Sequence, residues 1–424
     1  MSRLIYSLLF YLAMPLVWLR LTWRARKQPE YLRQLGERHG HYPTPPRTPL
    51  IWLHAVSVGE TRAAEPLIAA LLCEYPEHGV LLTHMTPTGR ATGRELLARY
   101  PGRLIQAYLP YDLPGACGRF LDHFRPQLGL LMETELWPNL IEACRRRSLP
   151  LALINARLSA RSQRGYARLP GLIRPALSAL SAVAAQTAGD GERLQQIGAR
   201  QVSVCGNLKF DVTPAPDKLQ QGASWRQEIG TRPIWLAAST REGEEDLILD
   251  AFTTMAIPDL LLLLVPRHPQ RFAEVADRIA ERGLAFCRRS TGELPQRESR
   301  VWLGDSMGEM AAYYALADLA IIGGTLLPFG GQNLIEAAAC GCPVLIGPHD
   351  FNFFQAGQDA IASGAARRVA DASEAATVAA ELFQHRTKLH AMRAATASFS
   401  LAHRGATLRI MALIARLRAI RTAN

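Results

Sequence analysis

The segment Trp52-Leu53-His54-Ala55-Val56-Ser57-Val58-Gly59-Glu60-Thr61 runs from apolar residues through a turn that contains glycine to a single carboxylate. From Glu60 to Leu72 apolar side chains recur at helical spacing, which predicts that Glu60 lies in the first turn of a helix. A carboxylate placed between a strand and a helix can act as the base of an enzyme. An acid at this position is also typical of a residue that only complements the helix dipole. The remaining sequence distinguishes between these two interpretations.

Length and composition predict two domains, each with its own core, because 424 residues exceed what one compact core usually supports and 48% of them are hydrophobic. The formal net charge of +11 indicates an anionic partner, which could be nucleic acid, an anionic membrane surface or a phosphorylated substrate. The seven cysteines are scattered without a Cys-x-x-Cys pair. This usage favours free thiols in a reducing compartment over disulfides or a zinc site.

The amino-terminal segment, residues 1–40, reads as a membrane anchor with a basic juxtamembrane part. An almost wholly apolar run extends from Leu4 to Leu19. It is followed by a cluster of basic residues: Arg20, Arg24, Arg26, Lys27, Arg33 and Arg38. A secretory signal would carry its charges before the apolar run, and this segment carries them after it. Because the basic residues follow the run, the positive-inside rule places the rest of the chain in the cytoplasm. A helix that spans the membrane and a helix that lies in its interface both fit this pattern.

Beyond the anchor, short apolar runs alternate with amphipathic stretches, which predicts an α/β fold with parallel sheets. Strands of the first domain, 41–212, are predicted at Leu50-Ala55, Val80-Thr83, Leu104-Tyr108, Leu128-Met132, Leu151-Asn155, Ala182-Gln186 and Val202-Cys205. Strands of the second domain, 231–424, are predicted at Ile234-Ala238, Leu260-Val265, Ala285-Cys287, Arg300-Leu303, Leu319-Ile322 and Val344-Ile346. A proline-containing linker, 213–230, joins two Rossmann-like domains that should face a cleft. The carboxyl-terminal tail from Ala375 is helical by periodicity and could cross back to the first domain.

Two loops of the second domain are candidates for binding an anion. Ser239 and Thr240 lie between a predicted strand and a helix, where they could contact a phosphate or simply cap the helix. Arg267 and His268 directly follow an apolar strand, at the sheet edge where ligands bind in such folds. The guanidinium fork of Arg267 suits a phosphate or a carboxylate, and an ordinary surface arginine is the alternative.

The stretch from Ile321 to Glu336 contains two Gly-Gly pairs and then a predicted helix. Gly331 and Gln332 would let the backbone approach a phosphate, and Asn333 and Glu336 would share a helix face on which the carboxylate could bind ribose hydroxyls. A purely structural turn is the alternative. Met307, Gly308 and Glu309 form one more loop at the same edge. Phosphate-binding loops, Gly-x-Gly-x-x-Gly, His-Glu-x-x-His and Asp-x-Asp motifs are absent, so the sequence predicts neither a cofactor nor a metal.

Nine segments occur in the order of a known family: Ser57-Val58-Gly59-Glu60, Thr86-Pro87-Thr88-Gly89, Leu109-Pro110-Tyr111-Asp112, Met132-Glu133-Thr134-Glu135-Leu136-Trp137-Pro138-Asn139, Asn155-Ala156-Arg157-Leu158-Ser159, Gly206-Asn207-Leu208-Lys209-Phe210-Asp211, Pro266-Arg267-His268-Pro269, Met307-Gly308-Glu309 and Gly330-Gly331-Gln332-Asn333. Together they resemble the bacterial 3-deoxy-D-manno-octulosonic acid (Kdo) transferases. These are membrane-anchored glycosyltransferases of lipopolysaccharide biosynthesis with the two-domain GT-B fold.

The resemblance implies an inverting, metal-independent transfer of Kdo from CMP-Kdo to the phosphorylated lipid A precursor (lipid IVA) at the cytoplasmic face of the inner membrane. Glu60 would be the general base, and its position at a helix start should keep it ionised. Lys209 would stabilise charge in the transition state. Glu133 and Glu135 alternate after a strand, so only one is expected to point into the cleft. Either could instead form a salt bridge with Arg157 or another base.

The resemblance also implies which residues hold the CMP portion of the donor: Arg267, His268, Met307, Gly308, Glu309, Asn333, Leu334, Ile335 and Glu336. Phosphate contacts would come from Ser239, Thr240, Gly331 and Gln332.

Two competing functions remain open at this point. A GT-B glycosyltransferase or epimerase that uses a UDP-sugar would have the same architecture and similar glycine loops. A tethered nucleic-acid-binding protein would explain the charge. The chain has no basic run interleaved with aromatic residues, and aromatic residues make up only 7% of it, so nucleic acid is not an expected partner.

Overall fold

The computed structural model describes residues 2–26, 28–43 and 45–423, and the side chains of these residues up to 419. Lys27 of the predicted basic cluster and Asn424 of the predicted tail lie outside the described residues. The chain forms two compact units. Unit 1 comprises Met1–Val212 and Arg404–Asn424, and unit 2 comprises Thr213–His403.

Unit 1 is built on a sheet of seven parallel strands, and all seven were predicted from the sequence. The strands are β1 (Leu50–His54), β2 (Gly79–His84), β3 (Leu104–Tyr108), β4 (Leu128–Met132), β5 (Leu151–Ala156), β6 (Ala182–Ala185) and β7 (Val202–Val204). Their order in the sheet is β3-β2-β1-β4-β5-β6-β7. The strand order reverses between β1 and β4, and in open parallel sheets ligands bind beyond the carboxyl ends of the strands at such a point.

Helices cover both faces of this sheet. In chain order they are α1 (Arg3–Ala25), α2 (Leu35–Arg38), α3 (Val58–Glu74), α4 (Pro87–Arg99), α5 (Pro114–Phe124), α6 (Pro138–Arg146), α7 (Ala160–Ala167), α8 (Pro170–Ser178) and α9 (Ala188–Gln196). One core lies between the sheet and α3, and a second lies between the opposite face and α5, α6 and α8. Strands β1, β2, β4, β5 and β6 are buried on both sides, which is why they read as continuous apolar runs in the sequence.

Unit 2 repeats the architecture with a second sheet of seven parallel strands, in the order β10-β11-β9-β8-β12-β13-β14. The strands are β8 (Ile234–Thr240), β9 (Leu261–Pro266), β10 (Phe286–Arg288), β11 (Val301–Leu303), β12 (Leu319–Ile322), β13 (Val344–Ile346) and β14 (Ala366–Arg368). The first six were predicted. The edge strand β14 was missed because two of its three residues are arginines that are not buried, so it lacks an apolar run.

The helices of unit 2 and the last helix of the chain correct two predicted boundaries. The helices are α10 (Pro216–Ile229), α11 (Glu244–Thr253), α12 (Phe272–Glu281), α13 (Met310–Leu316), α14 (Leu334–Ala339), α15 (Phe354–Ala362), α16 (Ala372–Gln384), α17 (Arg386–Ala402) and α18 (Ala406–Ala423). The predicted linker 213–230 is mostly helix α10. It packs so closely on α13 that a Cβ atom at Gly222 would lie 2.4 Å from the carbonyl oxygen of Ala312.

The predicted range of the second domain, 231–424, included the whole tail. In the structure the end of the tail lies outside unit 2. Helix α18 belongs to unit 1, where Ile410 and Ile414 enter the core beside α3. The carboxylate of Asp211 accepts hydrogen bonds from the backbone N–H groups of Gly405, at 2.7 Å, and Thr407 at the start of this helix. Unit 1 is therefore assembled from both ends of the chain.

Strand β4 runs through the middle of the unit 1 sheet at Gly129, where there is no space for a side chain. A Cβ atom there would lie 2.6 Å from Leu151 Cδ1 and 2.9 Å from Trp52 Cε3. We expect Gly129→Ala to destabilise the protein by about 1 to 3 kcal/mol, because the fully buried Trp52 ring would have to shift. The shift in unfolding temperature measures this effect. Gly165→Ala, on helix α7 with open space around it, is the matched control and should be neutral or slightly stabilising. Equal effects of both substitutions would contradict the packing argument.

Candidate active site

Helix α3 begins directly after β1, and Glu60 lies in its first turn as predicted. Ser57 caps the helix, with its Oγ atom accepting the N–H of Glu60 at 3.4 Å. In return, one carboxylate oxygen of Glu60 accepts the N–H of Val56 at 2.8 Å, and the other accepts the Ser57 hydroxyl at 2.9 Å. This reciprocal arrangement is a variant of the capping box. Glu60 therefore has a structural role at the helix start, and any catalytic role is additional to it.

Glu133 and Glu135 follow β4, as predicted, but they lie in a turn, so strand alternation does not orient their side chains. The strand ends at Met132, and Glu133 adopts a left-handed backbone conformation with φ of +57°. Glu133 Oε1 lies 3.3 Å from Lys209 Nζ, and Glu133 Oε2 lies 3.2 Å from Arg157 Nε. The predicted alternative of a salt bridge with Arg157 is thus confirmed for Glu133. Glu135 instead accepts a hydrogen bond of 2.8 Å from the indole N–H of Trp137.

The three glutamates influence one another electrostatically. Burial and the negative charge of Glu133 raise the pKa of Glu60, against the opposing effects of the Val56 N–H, the Ser57 hydroxyl and Lys209. The position of Glu60 at a helix start was expected to keep it ionised. The hydrogen bonds there do favour the ionised form, but burial and the charge of Glu133 outweigh them. Burial and the charge of Glu60 raise the pKa of Glu135 to about 7. Both carboxylates are thereby shifted toward neutral pH, which is where a general base works best.

Lys209 reaches this group of carboxylates through a structured loop after β7. Asn155, at φ of +50°, accepts the backbone N–H of Leu208 with its Oδ1 atom at 3.0 Å. Asn207 then caps the short 3-10 helix Leu208–Asp211 by accepting the N–H of Lys209 at 3.0 Å. Unit 1 thus brings together the four residues predicted as catalytic. The supporting role of Asn155 was not predicted, although its segment was one of the nine that carry the resemblance.

In unit 2, a basic cluster lies at the carboxyl ends of β8 and β9. It comprises Arg241, Arg267, His268 and Arg271. Burial lowers the pKa of His268, and the neighbouring charges of Arg241, Arg267 and Arg271 lower it further, so this imidazole is mainly neutral at pH 7. Arg267 and His268 are exposed, and the guanidinium of Arg241 lies 4.5 Å from the centre of the Phe329 ring. The cluster is positively charged, although Arg271 is paired with Glu245 and Glu274, and Arg241 is a member that the sequence analysis did not single out.

The predicted phosphate contacts Ser239 and Thr240 lie beside this cluster. Ser239 adopts φ of +57° at the end of β8. The Thr240 hydroxyl donates a hydrogen bond of 2.8 Å to Glu245, whose carboxylate also lies 2.7 Å from Arg271 Nη1. The Thr240 hydroxyl is thus bound to a side chain of α11 and does not cap this helix, whose N-cap is Gly243 without a side-chain hydrogen bond.

The loop that follows β12 closes on itself and is held by a buried carboxylate. Gly331 N–H donates to the Gly324 carbonyl at 2.7 Å, and Gln332 N–H donates to the Gly323 carbonyl at 3.0 Å. Inside the loop, Glu244 accepts the N–H groups of Gly324, at 2.6 Å, and Leu326, at 2.9 Å. These two N–H groups are therefore not available to a ligand. Nothing in the sequence pattern indicated this role of Glu244.

The residues after this loop differ partly from the prediction. Asn333 precedes α14 and caps it, accepting the N–H of Ile335 at 3.2 Å, so it does not share a helix face with Glu336. Leu334 and Ile335 are each 2% exposed, so that only their backbone could contact a nucleotide. Burial raises the pKa of Tyr314, and the negative charge of Glu336 raises it further.

The Met307-Gly308-Glu309 loop lies between β11 and α13. Met307 is exposed, Gly308 adopts φ of +77°, and Glu309 is buried. One carboxylate oxygen of Glu309 accepts hydrogen bonds from Gln221, at 2.7 Å, and from Arg289, at 3.0 Å. Burial opposes ionisation, but the hydrogen bonds from Ser306, Arg289 and Gln221 hold the pKa of Glu309 below its usual value.

In the parts of the chain that the structure describes, no group of three or more His, Cys, Asp or Glu residues could hold a metal ion.

The raised pKa of Glu135 predicts how stability depends on pH. A glutamate in the unfolded chain has a pKa near 4.3, whereas the pKa of Glu135 in the folded protein is raised to about 7. The contribution of Glu135 to the stability of the folded protein therefore falls as the pH rises from about 4.3 to about 7, and the full cost of ionising Glu135 is present above pH 7. Glu135→Gln removes this cost and keeps an acceptor for Trp137. We expect the variant to be about 1 to 3 kcal/mol more stable than the parent at pH 8.5 and equal to it at pH 4, as measured by denaturant unfolding.

Glu142, on the neighbouring helix α6, provides a control of opposite sign. Hydrogen bonds from Arg145, and then from Arg146, lower the pKa of Glu142 to about 2. Glu142→Gln should therefore destabilise the protein at pH 8.5. A Glu135→Gln variant that is also less stable at that pH would show that Glu135 is not held in an unfavourable ionised state.

Comparisons with known proteins show which family this chain is similar to. Residues 33–212 match the family model described as 3-deoxy-D-manno-octulosonic-acid transferase (kdotransferase). A relative from Bordetella pertussis named 3-deoxy-D-manno-octulosonic acid transferase is 47% identical, over 97% of this chain and 98% of its own length. A relative of the same name from Haemophilus influenzae is 40% identical, over 83% of this chain and 84% of its own.

The fold is also found among solved structures. A glycosyltransferase from Rickettsia africae superposes with a TM-score of 0.60 and 13% identity, covering 89% of this chain and 100% of its own. This likeness supports the assignment of the two units to the GT-B fold. Because the relatives match almost the whole chain at high identity, the chain belongs to the 3-deoxy-D-manno-octulosonic acid (Kdo) transferase family and is a glycosyltransferase.

Proposed function

We propose that this enzyme transfers Kdo from CMP-Kdo to a glucosamine hydroxyl of the phosphorylated lipid A precursor, lipid IVA, with inversion and without a metal ion. Family membership supports transfer of Kdo in lipopolysaccharide biosynthesis. The identity of the donor, the acceptor and the stereochemistry are the finer parts of the proposal. The observation that carries it is the group of coupled carboxylates around Glu60.

Glu60 would act as the general base. Its carboxylate accepts a proton from the acceptor hydroxyl, while the hydroxyl oxygen forms a bond to the ketosidic carbon of Kdo. The bond from that carbon to the phosphate oxygen breaks, and CMP leaves with the electron pair as a phosphate monoester. The raised pKa of Glu60 makes its carboxylate a better proton acceptor than an ordinary glutamate.

Glu133, Lys209 and Arg157 would adjust the charge around this base. Glu133 raises the pKa of Glu60 and Lys209 lowers it, and the two lie in contact with each other, so the balance depends on their ion pair. Lys209 could also stabilise negative charge that develops during transfer. We propose that Glu133 and Lys209 act mainly by setting the proton affinity of Glu60, and that Glu135 belongs to the same coupled system.

The donor would bind to unit 2 through the basic cluster and the neighbouring loops. Arg267 would bind the CMP phosphate by its guanidinium fork, and the neutral His268 would contribute a hydrogen bond rather than a charge. The loops containing Met307, Gly308 and Glu309 and the segment from Gly331 to Glu336 would contact the nucleoside. The buried Glu309 is already bound to Gln221 and Arg289, so it would position Arg289 and the loop.

The acceptor is expected to come from the membrane. The net charge of +11 suits a bis-phosphorylated lipid, and the apolar helix α1 is the one helix in the described part of the chain that is long and apolar enough to enter a bilayer. We propose that the enzyme is bound to the inner membrane with its two units on the cytoplasmic side.

Transfer of labelled Kdo from CMP-Kdo, generated in place, to purified lipid IVA in detergent tests the donor, the acceptor and the metal requirement together. We expect a product heavier by one or more Kdo units in the presence of EDTA, with inhibition by CMP but not by UDP. Loss of product with EDTA would contradict metal independence. Inhibition by UDP but not by CMP, with no Kdo transfer, would indicate the alternative class of UDP-sugar enzymes.

The role of Glu60 as a base can be separated from its role in the capping box. Glu60→Gln keeps a carbonyl oxygen that can accept the Val56 N–H, but its amide cannot take a proton. We expect Kdo transfer to fall by about 100- to 10,000-fold, since that is the usual contribution of a general base, while CMP affinity stays unchanged. Single-turnover assays and calorimetric titration with CMP measure the two effects.

Helix α16 provides a matched control with the same local geometry. Glu374 accepts the backbone N–H of Ala370 at 2.6 Å, and its own N–H donates to the capping residue Asp371 at 2.8 Å. Glu374→Gln makes the same exchange at a helix start outside the candidate site and should leave turnover unaltered. Normal turnover of Glu60→Gln, or equal losses of activity in both variants, would remove Glu60 from the chemistry.

A further inference from the structure

Helix α1 is not a free anchor, because one of its faces packs against unit 1. Phe10, Met14 and Val17 recur at helical spacing and pack against the buried cluster formed by Tyr111, Leu113 and Ala116. Further along the helix, the Trp18 ring stacks on the His39 ring at 5.5 Å, and Leu21 and Ala25 are buried. The inner face of α1 is thus part of the fold of unit 1 along most of its length.

Polar contacts fix the amino-terminal part of α1 on the start of helix α6. The Oδ1 atom of Asn139 accepts hydrogen bonds from the Ser7 hydroxyl, at 2.9 Å, and from Arg3 Nη1, at 3.2 Å. The side-chain N–H of Asn139 donates to the Asp112 carbonyl at 2.7 Å. The carboxylate of Asp112 accepts the backbone N–H groups of Asn139, at 3.1 Å, and Leu140, at 2.8 Å. Asp112 and Asn139 belong to two of the nine segments, and the proposed chemistry gives neither residue a role.

The opposite face of α1 is a continuous apolar surface. Large apolar side chains on this face are between 51% and 76% exposed: Leu4, Ile5, Leu8, Leu9, Tyr11, Leu12, Leu16, Leu19 and Trp23. Exposed basic residues follow at its carboxyl-terminal end, namely Arg20, Arg24, Arg26 and Arg33. Arg38, from the predicted basic cluster, is instead buried, with its guanidinium 4.1 Å from the centre of the Tyr108 ring. An exposed apolar face with basic residues at its border is complementary to a bilayer that contains anionic lipids.

The contacts of the inner face are incompatible with a helix that crosses the bilayer. With Arg20 at the cytoplasmic headgroups, Ser7 would lie roughly 20 Å deeper, because each residue of a helix rises by 1.5 Å. The contacts of Ser7 and Arg3 with Asn139 could then not form unless unit 1 itself entered the hydrocarbon. Arg3 would also have to pass to the far side. A helix parallel to the membrane surface keeps every one of these contacts.

We propose that α1 lies in the plane of the membrane, docked on unit 1, with its outer face inserted into one leaflet of a bilayer that contains anionic lipids. This rests on the proposed membrane location and specifies its geometry. Because Asn139 is two residues from Trp137, the docked helix also holds the loop that carries Glu135 next to the lipid surface. The anchor would therefore position the candidate active site relative to its lipid substrate.

The depth of spin labels along the outer face tests the proposal in the full-length protein. Nitroxides would be attached to single cysteines in a Cys73→Ser background, since Cys73 is the one exposed native cysteine in the described part of the chain. The labelled positions are Leu4→Cys, Leu8→Cys, Leu12→Cys, Leu16→Cys and Leu19→Cys. Collision with oxygen and with a nickel complex, in vesicles of phosphatidylethanolamine and phosphatidylglycerol, gives the depth of each label. A label on native Cys73 in the parent protein provides a reference outside α1.

We expect all five labels at a similar, shallow depth of about 5–10 Å below the headgroups. A spanning helix would give the greatest depth near Leu12 and shallow values at both ends, and this result would overturn the proposal. Removal of α1 is a less useful test, because it would also expose Tyr111, Leu113 and Ala116 and could unfold unit 1.

A second measurement keeps α1 docked. Ser7→Cys and Asn139→Cys, joined by a short bis-maleimide cross-linker before vesicles are added, should bind vesicles within about twofold of the uncross-linked protein, because docking and binding are compatible. Loss of binding on cross-linking would overturn the proposal. Neither measurement depends on Kdo transfer. A chain that binds no vesicles contradicts both the membrane location and the in-plane helix, whereas a chain with shallow labels but no transfer contradicts only the proposed reaction.

Discussion

Carboxylates that accept backbone N–H groups hold loops of both units in place. Asp112 binds the start of α6, Asp211 binds the start of α18, and Glu244 binds the loop after β12. The first N–H groups of a helix have no partner within it, and leaving such a group buried without an acceptor costs about 1 to 3 kcal/mol. One carboxylate satisfies two or more of them with charge-assisted bonds, which are stronger than neutral ones. The loops that carry the candidate site residues depend on this interaction.

The same short pattern supports different chemistry in the two units. Ser57-Val58-Gly59-Glu60 and Ser306-Met307-Gly308-Glu309 each place a serine hydroxyl on the carboxylate three residues later, next to the start of a helix. Burial acts against ionisation in both. In the first, the negative charge of Glu133 adds to it and the pKa of the glutamate is raised. In the second, hydrogen bonds that include one from Arg289 prevail and the pKa is lowered. The neighbours, rather than the motif, decide which carboxylate is suited to accept a proton.

The sequence was a good guide to the sheets, because strands buried on both faces must be apolar along their whole length. It was a poorer guide where tertiary contacts decide the outcome. The edge strand β14 has no apolar run, and α10 could not be distinguished from a linker, because Pro214, which precedes the helix, and Pro216, its first residue, are compatible with either a helix start or a loop. The residues that the structure brings together around Glu60 could be predicted from their segments, and their catalytic role stays a prediction. The pKa shifts could not, because they depend on the ion pairs of Glu133, which joins residues far apart in the sequence.

The return of α18 to unit 1 has a consequence for how the enzyme is made. Helix α18, which is synthesised after unit 2, supplies Ile410 and Ile414 to the core beneath α3, the helix that carries Glu60. Unit 2 can fold once its own residues have been synthesised, whereas unit 1, which emerges first, must wait for residues that follow unit 2 in the sequence. Synthesis of unit 2 thus precedes completion of the core beneath the carboxylate group, and a chain that stops before α18 would lack that part of the core.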